Sequence, residues 1–68
     1  MKTQEQIGKN IKLARKQAGL TQAEVSEKVG IHINYFARVE RGEKRPSIET
    51  LLKIAKILNV KSSDLLPL

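Results

Sequence analysis

The chain has 68 residues, enough for one domain. It has no cysteine and one histidine, His32, so disulfides, thiolate metal sites and histidine clusters are excluded, and neither metal nor cofactor is expected. Thirteen basic residues against seven acidic ones give a net charge of +6, which favours a polyanionic partner, either nucleic acid or an anionic membrane surface.

No apolar run is long enough to span a bilayer, and no N-terminal apolar segment resembles a secretion signal, so a cytoplasmic location is expected. Tyr35 and Phe36 are the only aromatics. Single-strand binders stack bases on more rings than this, so duplex DNA is the favoured polyanion.

Residues 4–18 place Ile7, Ile11, Ala14 and Ala18 on one face of an amphipathic helix. Gly19 stops it, and Leu20 enters the core from the connection. Thr21 is an N-cap with Glu24 three residues on, the pattern of a capping box. Val25 and Val29 face inward, and Gly30 supplies a sharp turn. A third helix is predicted over about His32 to Arg41, with Phe36 and Val39 inside and Ile31 just before it. At about 100° per residue, Ile33, Asn34, Ala37, Arg38 and Arg41 fall on its opposite arc.

Gly42 ends that helix, and Glu43–Pro46 reads as a charged loop. Ser47 caps a fourth helix with Glu49 in its first turn. Ile48, Leu51, Leu52, Ala55 and Leu58 are its predicted inner stripe, and Asn59 closes it. Val60 packs back, Ser62 or Ser63 caps a last short turn through Leu66, and Pro67 prevents extension. No strand alternation, repeat or linker interrupts the chain. Residues 1–68 are therefore expected to form a single all-α domain.

Counted from Gln22 as first, apolar residues fall fourth (Val25), eighth (Val29), tenth (Ile31), fifteenth (Phe36) and eighteenth (Val39), with glycine ninth (Gly30). This spacing holds two helices across a short turn, so residues 21–42 read as a helix-turn-helix, the unit that sets one helix in the major groove.

The stretches Gly19-Leu20-Thr21-Gln22-Ala23-Glu24-Val25, Val39-Glu40-Arg41-Gly42, Pro46-Ser47-Ile48-Glu49-Thr50-Leu51-Leu52 and Asn59-Val60 through Asp64-Leu65-Leu66 make the resemblance specific. The chain resembles the Cro and phage-repressor (Xre-like) helix-turn-helix family over about residues 5–66. Tyr35-Phe36 followed by Glu40-Arg41-Gly42 looks most like the controller proteins of restriction–modification systems. The resemblance implies a compact five-helix repressor-like domain that binds operator DNA as a homodimer and regulates transcription. It also implies that Gln22 contacts the DNA backbone and buttresses the reading helix, that His32 touches phosphate, and that Arg15 and Glu40 form a partly buried ion pair.

The expected base readers are Ile33, Asn34, Ala37 and Arg38. Arginine pairs with guanine and asparagine with adenine through two hydrogen bonds each, whereas isoleucine offers only apolar contact, as to a thymine methyl. Thr21, Tyr35, Arg41, Lys44 and Arg45 are expected along the phosphate backbone. Around the fourth helix Ile57 points almost opposite the predicted inner arc and Ile54 lies at its margin. With Leu52, and with Leu65 in the apolar Leu65-Leu66-Pro67-Leu68 end, they suggest a homodimer contact, and with it a palindromic operator. Two other classes compete. A module docking on protein without DNA would not need Arg38, Arg41 and Arg45. A membrane-surface helix is prompted by Lys9, Lys12, Arg15 and Lys16, but the core needs that helix's apolar stripe.

Overall fold

The computed structural model describes residues 2–67, so Leu68 of the expected C-terminal contact lies outside the described residues. Five helices follow in chain order: α1 (Lys2–Gln17), α2 (Gln22–Val29), α3 (Ile33–Glu40), α4 (Ile48–Leu58) and α5 (Ser62–Leu65). Their boundaries follow local chemistry. The Thr21 hydroxyl accepts from the Glu24 N–H at 3.0 Å, and the Glu24 carboxylate accepts from the Thr21 N–H at 2.8 Å, completing a capping box. The bond from the Thr21 N–H, with a smaller contribution from the Thr21 side chain, holds the Glu24 carboxyl below its ordinary value. Gly30 ends α2 at φ 86°, a left-handed conformation that costs glycine little. At the fourth helix the Ser47 hydroxyl accepts from the Thr50 N–H at 3.1 Å, and Asn59 closes the helix in the left-handed region. The cap of α5 differs from the expectation. Lys61, rather than Ser62 or Ser63, precedes it, and its N–H donates to the Asp64 carboxylate at 3.2 Å.

The core gathers Ile7, Ile11 and Ala14 of α1, Val25 and Val29 of α2, Phe36 and Val39 of α3, four residues of α4, and Leu65. Helix α1 packs on α3, α2 packs on α3 and α4, and α5 closes over α1 and α4. The Asn10 side-chain amide donates to the Leu65 carbonyl at 3.1 Å, fixing α5 against α1. Ala18, expected on the inner face, lies past the end of α1 and is exposed.

The orientation of α4 corrects the expectation. Leu51, Ile54, Ala55 and Leu58 are buried, whereas Ile48 and Leu52 are 69% and 52% exposed. Counting Ile48 and Leu52 as inner residues swings the centre of the stripe by roughly 50°. That error placed Ile54 at the margin and Ile57 on the far side. Ile54 is fully buried, and Ile57 is half-buried against the core. Leu65 is likewise a core residue, 1% exposed, so neither Ile54 nor Leu65 is available to a partner.

Gly8 was not singled out in the sequence. A Cβ built there falls 2.5 Å from the carbonyl oxygens of both Val39 and Glu40. Its missing side chain lets α1 lie directly on the end of α3.

Polar bonding reinforces that contact. Arg15 and Glu40 are 11% and 2% exposed at their side chains, with Arg15 Nε 2.6 Å from Glu40 Oε2. A second bond runs from Arg15 Nη2 to Glu40 Oε1 at 3.2 Å, so the guanidinium grips the carboxylate in two places. Gln22 Nε2 donates to the same Oε1 at 2.8 Å, and Arg15 Nη1 donates to the Leu20 carbonyl at 2.9 Å. The carboxylate on α3 thus ties α1 to the start of α2, and Arg15 extends the network to the α1–α2 connection.

Two stability outcomes follow. Gly8→Ala, which raises helix propensity elsewhere, is expected to destabilise here by about 1–3 kcal/mol through overpacking. A thermal melt at or above that of the parent chain contradicts the close approach. Arg15→Met strands a buried carboxylate and is expected to cost about 3–5 kcal/mol, while adding Glu40→Leu recovers most of the loss. Chemical denaturation of the single and double variants checks this, and additive losses contradict it.

Candidate nucleic-acid interface

Helix α3 is short, and its two sides face different surroundings. Phe36 and Val39 are fully buried and Glu40 nearly so, which fixes the helix rotationally. The opposite arc is then determined. Asn34 and Arg38 are exposed, Ile33 is 40% exposed, and Ala37 is half-buried between them. A shallow groove runs along this arc, lined by His32, Asn34, Tyr35, Ala37, Arg38, Arg41 and Lys44. Seven of the residues expected at DNA by sequence therefore meet in one concavity, among them Tyr35, which is half-buried against the core.

His32 is the N-cap of α3 rather than its first residue. Its Nδ1 accepts from the Asn34 N–H at 3.0 Å. An acceptor Nδ1 puts the ring proton of a neutral imidazole on Nε2, which is left to donate outward. Thr21 and Gln22 sit at the start of α2 with part of their hydrogen-bonding capacity engaged. The Thr21 oxygen accepts in the capping box, leaving its O–H to donate, and the Gln22 amide is anchored on Glu40. The Gln22–Glu40 bond joins the first helix of the motif to the second, a link that spacing alone does not reveal.

The end of α3 carries a tertiary feature with no local sequence motif. Arg41 is the C-cap, and Gly42 follows at φ 80° with its backbone close against Glu5. This turn brings the Glu43 N–H to the Arg38 carbonyl at 2.9 Å. The Glu43 carboxylate consequently lies beside two arginines. It accepts from Arg41 Nε at 2.9 Å and from Arg41 Nη2 at 3.3 Å, and it stands 3.9 Å from Arg38 Nε. The hydrogen bonds from Arg41, with the charge of Arg38 beyond it, hold the Glu43 carboxyl below its ordinary value. Lys44 and Arg45 follow, both exposed, and Pro46 is buried, anchoring the loop that carries them. Of the four residues assigned to a partner contact, Leu52 is exposed on a different helix, Ile57 is half-buried and Ile54 and Leu65 are enclosed.

Among the described residues no group of three or more His, Asp or Glu is placed to hold a metal ion, and no helix is long and apolar enough to cross a membrane.

Comparison with known proteins identifies the family and the fold. The helix-turn-helix family model matches residues 11–65. The HTH-type transcriptional regulator ImmR of Bacillus subtilis is 42% identical over 60 residues, covering 88% of this chain and 47% of ImmR. The chain thus spans about half the length of that relative. The crystal structure of the restriction-modification controller protein C.AhdI from Aeromonas hydrophila superposes with a TM-score of 0.85 at 28% identity, over 90% of this chain and 92% of that one. The crystal structure of SinR, a master regulator for biofilm formation, in complex with DNA superposes with a TM-score of 0.82 at 37% identity, over 87% of this chain and 95% of that one. The chain belongs to the helix-turn-helix family, a family of transcriptional regulators and not of enzymes.

Proposed function

We propose that this chain binds duplex DNA sequence-specifically, as a homodimer on a palindromic operator, and thereby regulates transcription. The observation that carries the reading is the outward arc of α3. Asn34 and Arg38 stand exposed on a helix whose other side is locked into the core, and cations flank them. Arg38 and Asn34 carry donors suited to purine edges, and Ile33 and Ala37 can meet thymine methyls. Lys44, Arg45, the His32 Nε2 proton, the Tyr35 and Thr21 hydroxyls and the start of α2 at Gln22 are the phosphate contacts on this reading. The net charge of +6 supplies the long-range attraction. The DNA in the SinR structure supports the reading, because that protein shares this fold over 87% of the chain.

The homodimer rests on α4. Ile48 and Leu52 lie one turn apart and are more than half exposed, a pair of large apolar side chains that a monomer leaves in water.

Selection from a random duplex pool is expected to return symmetric half-sites about 10 base pairs apart, centre to centre. Arg38→Ala should relax selection at one position of each half-site, costing about 1–3 kcal/mol there. Lys44→Ala should weaken all sequences alike and lower the salt slope by about one. Equal behaviour of the two variants contradicts the division into readers and positioners. For assembly, sedimentation of Leu52→Lys is expected to show monomer at concentrations where the parent chain is dimeric. A parent chain that stays monomeric at tens of micromolar contradicts the α4 contact.

A further inference from the structure

We propose that Glu43 determines specificity by withholding Arg41 from phosphate. The inference rests on the DNA-binding reading above and assigns a role to an acidic residue lying on the face that DNA would approach.

Glu43 is poorly explained as a stabilising residue. It follows the C-terminus of α3, where the helix dipole disfavours an anion. Its pair with Arg41 is solvated, with both side chains just over half exposed, and exposed pairs of this kind contribute little to folding. Yet the pair is carefully placed. Gly42 at φ 80° turns the chain back, and the Glu43 N–H bonds the Arg38 carbonyl at 2.9 Å, so the carboxylate is held beside α3 by backbone. Two hydrogen bonds then occupy the Nε–Nη2 edge of the Arg41 guanidinium, one of the edges that could grip a phosphate with the same bidentate geometry, and they hold an opposing charge against the rest of it.

The two arginines are not held equally. Arg38 stands at 3.9 Å and makes no hydrogen bond to Glu43, whereas Arg41 makes two. Arg38 can therefore turn to a base edge while Arg41 stays closed on the carboxylate. In a non-specific complex, where no base contact forms, affinity comes from phosphates alone. There, recruiting the Nε–Nη2 edge of Arg41 leaves a bare carboxylate near the backbone, and recruiting its other edge brings the paired carboxylate up to the phosphates. Glu43 thus penalises the sequence-independent mode more than the sequence-specific one.

The test compares the parent chain, Glu43→Gln, Glu43→Gln/Arg41→Ala and Glu27→Gln, the last removing an exposed acid on α2 outside this cluster. Each is titrated with the duplex chosen from a random pool and with a scrambled duplex, across a salt series. Glu43→Gln is expected to bind the scrambled duplex about threefold more tightly and with a salt slope steeper by about one. Its affinity for the chosen duplex changes less than twofold, so the specificity ratio falls. Arg41→Ala in the same background removes the gain, and Glu27→Gln produces none. The proposal is overturned if Glu43→Gln leaves scrambled-duplex affinity and slope unchanged, if the gain survives without Arg41, or if Glu27→Gln reproduces it. A parent chain that binds neither duplex overturns the DNA-binding reading as well, whereas normal parent binding with an unaltered Glu43→Gln overturns this inference alone.

Discussion

The architecture depends on a buried carboxylate. Glu40 sits at the last turn of α3, almost fully enclosed, with Arg15 of α1 on both of its oxygens and Gln22 of α2 on one. A charge in that position is tolerable only when paired and hydrogen-bonded, and here both conditions are met with no buried side-chain polar atom left unpartnered among the described residues. Burial of Phe36 and Val39 sets which side of α3 faces the core. The bidentate ion pair is directional and reinforces that restriction at the end of the helix. The close approach of α1 at Gly8, against the carbonyls of Val39 and Glu40, adds a steric limit at the same end.

Fixing the rotation of α3 is what makes its outer arc a surface rather than a collection of mobile side chains. Phe36 and Val39 face the core, so Asn34 and Arg38 face outward, and the His32 cap defines where the helix begins. Preorganisation of this kind lowers the ordering cost of any complex formed there. The charge around the arc is graded. Lys44 and Arg45 make no ion pair among the described residues, Arg38 is loosely paired, and Arg41 is closed on Glu43. A surface with both fixed readers and moderated cations suits selective recognition better than one covered in unopposed positive charge.

Much of this was legible in the sequence because the signals are local. The capping box at Thr21 and Glu24, the left-handed turn at Gly30 and the apolar spacing from Val25 to Val39 each encode one piece of backbone geometry within a few residues. Helices α2 and α3, and the two-sided nature of α3, follow from them. Errors arose where local signals were ambiguous. Helix α4 carries Ile48, Leu51, Leu52, Ile54, Ile57 and Leu58, more aliphatic residues than one face can hold, so periodicity alone could not choose which of them to bury. Contact with α2 and α5 made the choice, burying Ile54 and leaving Leu52 outside. Gly8 was illegible for a different reason. Its role depends on an element thirty residues away, and nothing in a single helical glycine announces a close approach. The Gln22–Glu40 bond and the Glu43 clasp are likewise tertiary facts, although an acid just past a helix C-terminus is a local anomaly that could have drawn attention.

The central claim is that the core-locked α3 presents its outer arc to paired nucleotides. Titration of isotopically labelled chain with a selected duplex, followed by amide chemical shifts, tests it most directly. The account predicts saturable changes concentrated at residues 32–38 and 44–45, with the buried Phe36 and Val39 side chains keeping their packing. Changes centred instead on the α1 lysines Lys9, Lys12 and Lys16, or spread evenly over the surface, contradict it.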